Sequence, residues 1–291
     1  MNTILIATDF SEASRNGAAY GFQLARAFDS KIILFNAYMA MPVTVTEIPA
    51  NVIADDLNKY TQQQLQLEAR SIIGRSKVTV ETICKEGPAA DNILEIAKEK
   101  HAGLIVAGMK EGDKGVRKML GSTATELARR TRIPMVIVPE KAKYTDISSI
   151  ALANQSDADP YADNHLLDLI QEIAGKFHSK LYLVRVAKNR VKAAYETLNR
   201  PFKLIRMMES LDPAYGAIEG KRIPEALNHF IEGYHIHMLA MLPHQHSLLE
   251  RWFMKSATRS MVFETRIPLL ILPDLHIEKK DHKRFQKEAW R

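Results

Sequence analysis

Short runs of continuously apolar residues alternate along the chain with longer stretches in which apolar positions recur every three to four residues. The runs in the first half are Thr3 to Thr8, Lys31 to Ala37, Val78 to Ile83, Leu104 to Ala107 and Met135 to Val138. Runs of this length, rich in Val, Ile and Leu, suit strands covered on both faces. The third is different: Val78, Val80 and Thr82 alternate with Thr79, Glu81 and Ile83, the pattern of an edge strand. Between the runs lie predicted helices. One spans Ser14 to Phe28, with Tyr20, Leu24 and Phe28 on one stripe. A second spans Asp55 to Ile73, a third starts after Pro88 with Ile93, Leu94 and Ala97 on one face, and a fourth spans Ser122 to Arg130. Strictly alternating strands and helices predict a parallel sheet with right-handed crossovers.

The second half repeats the first. Phe28-Asp29-Ser30-Lys31-Ile32-Ile33-Leu34 matches Phe177-His178-Ser179-Lys180-Leu181-Tyr182-Leu183, and Thr131-Arg132-Ile133-Pro134 matches Thr265-Arg266-Ile267-Pro268. At the latter spacing His101 falls on His235 and Ser122-Thr123 on Ser256-Ala257. Several matches in one order indicate duplication. The expected fold class is therefore α/β, with two tandem doubly wound domains, each holding a mostly parallel five-stranded sheet flanked by helices. The expected domains are 1–143 and 144–277, followed by a charged tail, 278–291, with the junction in the polar stretch Lys141 to Asp146. Between Asn189 and Glu219, Pro201 and Pro213 interrupt the pattern, so a shortened helix and a short third strand are expected there.

Composition narrows the function classes. Of the 291 residues 46% are hydrophobic and 25% charged, ordinary for a packed globular chain. The net charge of +6 is scattered, and the clearest basic run, Lys279 to Arg291, is interrupted by Asp281 and Glu288. Nucleic acid is a minor alternative partner on this pattern. A single cysteine, Cys84, rules out a disulfide framework within the chain and any Cys-based metal cluster. With no signal-like start and no stretch long enough to span a bilayer, the expected setting is cytoplasmic and no membrane partner is expected.

The candidate chemistry sits at strand ends. Asp9 follows the first strand and Gly108 ends the fourth. In an open α/β sheet, ligands bind outside the carboxyl ends of strands where the strand order reverses, so neighbouring first and fourth strands would bring Asp9 and Gly108 to one crevice. A carboxylate there can accept hydrogen bonds from ribose hydroxyls. Gly108-Met109-Lys110-Glu111-Gly112-Asp113-Lys114-Gly115 offers turn glycines and cations, and Gly121-Ser122-Thr123 opens a helix whose free N–H groups attract phosphate. Each residue also has a plain structural use: Gly108 as a strand end, Gly112 as a turn, Ser122 as a helix cap, Asp9 as a partner of the next helix's backbone. No Walker-type loop, dinucleotide fingerprint or hydrolase elbow is present.

The start Ile4-Leu5-Ile6-Ala7-Thr8-Asp9-Phe10-Ser11 and the end Gly121-Ser122-Thr123-Ala124 through Ile133-Pro134-Met135-Val136-Ile137-Val138 resemble the universal stress protein family. The resemblance implies the adenine nucleotide alpha hydrolase-like fold and a stress-response or regulatory role. It also implies binding of ATP, AMP or a related adenine nucleotide, with Mg²⁺ accompanying ATP and at most slow ATP hydrolysis. The sequence itself holds no assembled nucleophile, base and oxyanion set, so no catalytic residue is assigned. By resemblance Asp9 would touch ribose, Ala37 would hold adenine through its backbone, and Gly108, Gly112, Gly121, Ser122 and Thr123 would lie along the phosphates. The family spacing, Gly-x2-Gly-x9-Gly-Ser/Thr, is met by Gly108 and Gly121-Ser122, but Glu111 stands at the middle glycine and Gly112 comes one residue later. A shifted turn can still wrap phosphate, whereas a carboxylate beside phosphate opposes it.

In the second half Asn154 takes the place of Asp9, Leu242 that of Gly108 and Lys255 that of Gly121, and Pro243 removes a backbone donor. No family-type ATP site is expected there. His235 and His237 share a strand face in this reading, with His244 and His246 in the loop beyond. Metal binding by these four is the minor reading and a partly buried polar histidine plus a solvated loop the main one. The family pairs through its last strands, so a tandem chain can make a pseudo-dimer internally, with a homodimer or a protein partner optional. A ligand-free interaction module is the alternative to nucleotide binding.

Overall fold

The computed structural model describes residues 1–39, 50–110, 122–153, 165–199, 202–241, 261 and 264–273. In chain order its first half contains β1 (Thr3–Ala7), α1 (Glu12–Phe28), β2 (Lys31–Tyr38), α2 (Ala50–Ile73), β3 (Val80–Glu86), α3 (Ala89–Glu99), β4 (Leu104–Met109), α4 (Ser122–Arg130) and β5 (Met135–Pro139). The second contains β6 (Ser149–Ala153), α5 (His165–Phe177), β7 (Lys180–Ala187), α6 (Arg190–Leu198), α7 (Phe202–Met207), a 3-10 turn (Glu209–Leu211), β8 (Ala214–Glu219), α8 (Ile223–Gly233), β9 (Met238–Met241) and β10 (Leu269–Ile271).

The strands form one ten-stranded sheet in the order β3-β2-β1-β4-β5-β10-β9-β6-β7-β8. Read from either end, the order has the same logic: third, second, first, fourth and fifth strand of each half. Every neighbouring pair is parallel except β5 with β10, where Met135, Val136 and Ile137 lie opposite Ile271, Leu270 and Leu269. As the alternating pattern predicts, β3 is an edge strand, paired only with β2.

Strand side chains alternate between two cores, which is why the runs read as continuously apolar. Ile4, Ile6, Ile32, Leu34, Leu104, Val106, Ile150, Leu152 and Leu270 pack with α1, α2, α5 and α7 on one face. Leu5, Ile33, Phe35, Ile105, Ile137, Ala151, Leu239 and Leu269 pack with α3, α4 and α8 on the other. Both cores run across the β5–β10 seam. On the first face the seam is reinforced by an edge-to-face pair of Phe28 and Phe177, centroids 5.9 Å apart, and by the Met1 ammonium, 2.6 Å from Glu172 Oε1.

The repeat extends to the local hydrogen bonds that end each element. Asp29 and His178 both stand at φ 51°, and His101 and His235 at 51° and 49°. The left-handed conformation is uncommon outside glycine, so its presence at matched positions means that the two halves follow the same chain path there. The Thr131 hydroxyl donates to Ile133 O at 2.6 Å, and the Thr265 hydroxyl to Ile267 O at 2.7 Å. Ser30 donates to Met1 O and Ser179 to Ile147 O. The polar stretch after β5 is held by Asn16, whose amide donates to Pro139 O and Ala142 O.

Three local expectations differ from the structure. β4 runs one residue past Gly108, because Gly108 and Met109 still pair with Val138 and Pro139. The interrupted region holds two short helices and a 3-10 turn rather than one shortened helix; its strand, β8, has six residues against seven in β3. His235 and His237 precede β9 instead of lying on it, since His235 takes the left-handed turn that ends α8.

Candidate functional site

The site builds from strand register. Ala7 at the end of β1 is level with Phe35 of β2 and with Ala107 of β4. Asp9, Ala37 and Gly108 therefore all come within two residues beyond that line, at the carboxyl ends of three adjacent parallel strands. The chain leaves β1 for β2 on one side and reaches β4 on the other, so β1 and β4 flank the reversal of strand order. The condition set by the sequence, neighbouring first and fourth strands, is met.

Asp9 is exposed and opens the turn into α1. Its Oδ1 accepts the Ser11 N–H at 3.0 Å, while Ser11 caps α1 by accepting the Ser14 N–H at 3.2 Å. The intervening Phe10 has φ 65°, a strained value for an aromatic residue, which this turn holds in place. Burial pushes the Asp9 carboxyl up, but hydrogen bonds from Ser11 and Ser14 outweigh it and hold the group below the usual carboxylate range. The group is thus ionised at neutral pH and engaged with its own helix start, the plain structural use expected of it, with its exposed face open to solvent.

Gly108 has a packing reason to be glycine. A Cβ there would lie 2.0 Å from Ala13 O and 2.7 Å from Ser14 Cα. Gly17 is its counterpart on α1, where a Cβ would lie 2.6 Å from Gly108 N. The two glycines let the first turns of α1 rest directly on β4, and this brings Ser11 and Ser14 to Asp9.

Ala37 is half-buried near the end of β2. Thr123 is half-buried in the first turn of α4, which begins at Ser122. Gly112 and Gly121, with Glu111 and Lys114, lie outside the described residues. So do Asn154, Leu242, Pro243, His244, His246 and Lys255 of the second half.

Residues not singled out from the sequence complete the neighbourhood. Thr8 Oγ1 lies 3.1 Å from Ser14 Oγ and 3.1 Å from both oxygens of Glu68, which reaches in from α2. Asn36 donates to Thr8 O at 2.8 Å and fixes the end of β1. A groove of about 530 Å³ runs beside this cluster between α1 and α2, lined by Phe10, Arg15, Phe22, Gln64, Leu67 and Glu68. Burial raises the Glu68 carboxyl; the Thr8 hydroxyl and Arg15 offset this, and nearby Asp9 adds to it.

A raised carboxyl binds its proton more tightly folded than unfolded. Its ionised form therefore opposes folding above the raised value, and the penalty vanishes below the unfolded one. Glu68→Gln is expected to raise the urea midpoint at about pH 7 and to lose that advantage at about pH 4. A larger gain at the acid end would reverse the assignment.

In the second half, His237 Nδ1 lies 2.8 Å from Ser149 Oγ, and Ser149 donates to His235 O at 2.7 Å. This ties the start of β9 to that of β6, at the strand ends opposite the crevice. Among the described residues no group of three or more His, Cys, Asp and Glu is arranged to hold a metal. None of the described helices is long and apolar enough to cross a membrane.

Residues 1–139 match the model of the universal stress protein family. Universal stress protein MJ0531 of Methanocaldococcus jannaschii is 27% identical over 144 residues, covering 48% of this chain and 83% of that protein. A universal stress protein structure from Archaeoglobus fulgidus superposes with a TM-score of 0.74 at 15% identity. It covers 94% of this chain and 98% of its own, so the likeness of fold extends through both halves. A universal stress protein solved in complex with cAMP is 24% identical, covering 47% of this chain and 96% of its own, with a TM-score of 0.36.

Proposed function

Residues 1–139 belong to the universal stress protein family, and on that premise we propose that the chain is a stress-response or regulatory protein that receives an adenine nucleotide in its N-terminal half. The observation that carries this reading is the meeting of Asp9 and Gly108 at the reversal of strand order between β1 and β4. Asp9 accepts the ribose hydroxyls and the Ala37 backbone holds adenine. Gly108, Gly112, Gly121, Ser122 and Thr123 run along the phosphates, Ser122 and Thr123 from the first turn of α4, where a helix start favours anions. Mg²⁺ arrives with ATP on its phosphates. Binding biases shape or partner choice, and hydrolysis, where it occurs, is slow.

The chain is read as two copies, 1–143 and 144–277, with a charged tail, 278–291. The antiparallel β5–β10 pairing supports a pseudo-dimer within one chain, in which the second copy acts as a fixed partner. It also supports the second reading, an interaction module that needs no ligand.

Calorimetry with ATP and with AMP, each with and without Mg²⁺, separates the two. Wild type is expected to bind, and Asp9→Ala or Gly121→Glu to bind at least about tenfold more weakly, the scale of one charge-assisted contact or one blocked phosphate approach. Wild-type protein that binds neither nucleotide would leave the ligand-free reading standing.

A further inference from the structure

α6 exposes an apolar stripe and buries a carboxylate beside Ala193 on its inner face, unlike the usual helix packed on a sheet. Val191, Tyr195 and Leu198 recur at one-turn spacing and are 82%, 65% and 82% exposed. Glu196, on the opposite side, is buried in an ion pair with Arg185 of β7. That side is fixed further by the Tyr215 hydroxyl, which donates to Glu196 O at 3.1 Å, and by Thr197 Oγ1, which accepts the Ala217 N–H at 3.2 Å. The stripe cannot be turned inward without breaking these contacts.

Within the segment from Lys188 to Leu198 the exposed charges have one sign, with Lys192 Nζ also 3.7 Å from Glu196 Oε1. Lys188, Arg190 and Lys192 are all exposed, and Glu196 is the sole acid between Lys188 and Leu198. At 3.6 residues per turn Arg190 and Lys192 fall on either side of the apolar stripe. α6 packs on β7 and β8, and β8 is the outermost strand of the sheet, so the face stands at the end of the molecule. The helix between β2 and β3, α2, differs: Tyr60 and Leu67 are exposed there beside Asp55, Asp56 and Lys59, a mixed face.

We propose that α6 is a docking face for an anionic lipid surface, with Val191, Tyr195 and Leu198 entering the interfacial layer and Lys188, Arg190 and Lys192 meeting the headgroups. An apolar ridge flanked by cations is the pattern of an interfacial helix. A stable protein interface needs about 800 Å² per partner with matched shape, more than three side chains on a two-turn ridge supply; a bilayer surface needs no matched shape. No spanning helix is involved. The expectation of no membrane partner rested on the lack of a spanning stretch and did not address surface docking. This inference is independent of the nucleotide reading.

Co-sedimentation of the full chain with vesicles tests it, comparing phosphatidylglycerol mixed with phosphatidylcholine against phosphatidylcholine alone at low salt. Binding to the anionic vesicles only is expected, weakening as salt is raised. The double variant Val191→Ser/Leu198→Ser should lower partitioning about tenfold or more, as lost apolar burial dictates. Lys188→Glu/Arg190→Glu should do the same with the apolar ridge intact. Both variants change exposed side chains, and an unchanged urea midpoint confirms that they fold. Failure to sediment with anionic vesicles overturns the proposal. So does wild-type-like binding by the serine variant, which would assign binding to the basic tail. A lipid-free dimer broken by that variant would give the face to self-association instead.

Discussion

Gly108→Ala is expected to destabilise the protein by about 3 kcal/mol or more, the upper part of the range for overpacking a close-packed site. The added Cβ would lie 2.0 Å from Ala13 O and 2.4 Å from Ala13 C. Both are backbone atoms in the first turn of α1, so no side chain can swing aside. Restoring an ordinary contact requires lifting the start of α1 by more than 1 Å from β4. That shift would disturb Ser11, Ser14 and the Asp9 turn together. Gly17→Ala, whose Cβ would lie 2.6 Å from Gly108 N, should be costly for the same reason but less so. Urea midpoints of both variants, set against Gly175→Ala in α5, where a Cβ meets nothing within 4 Å, check the claim. Gly175→Ala should be neutral or mildly stabilising, because alanine favours the helix. A Gly108→Ala protein as stable as wild type would show that α1 does not rest on β4 as described.

The Gly108 result bears on how much a sequence can tell. Its spacing from Gly121-Ser122 points to phosphate, but a glycine at a strand end is equally called for by a helix that must approach closely. The spacing cannot separate the two, because the clash is with Ala13 and Ser14, far away in the chain. The same limit hid Glu68 and Asn36 from the site: their link to Thr8 depends on where α2 and β2 settle. Local signals did better. Continuous apolar runs specify buried parallel strands without reference to partners, and the alternation in Val78 to Ile83 marked β3 as an edge for a reason internal to the segment. Matched left-handed turns at Asp29 and His178, and at His101 and His235, carry the repeat down to backbone conformation. Where proline interrupted the pattern, near α6 and α7, periodicity had too few turns to fix the elements. The buried Glu196 on the inner face of α6 and its exposed Val191, Tyr195 and Leu198 would in any case have misled a hydrophobic reading.

Glu196→Ala tests that inner face and is expected to cost about 3 kcal/mol, the lower end for removing one member of a buried ion pair. Arg185 and Glu196 are 7% and 8% exposed, so the substitution takes a charged partner from a guanidinium largely withdrawn from water. In the first half the position matching Arg185 in the repeat is Asn36, a neutral amide that donates to Thr8 O. A charged pair is therefore not required by the fold at this point of the sheet. It follows that Arg185→Met with Glu196→Leu should recover most of the loss, since well-packed apolar side chains commonly replace buried ion pairs at little cost. Urea midpoints of the single and double variants decide it. A single variant costing under about 1 kcal/mol, or a double variant no better than the single, would mean that α6 is held by its other contacts to β8 and not by this pair.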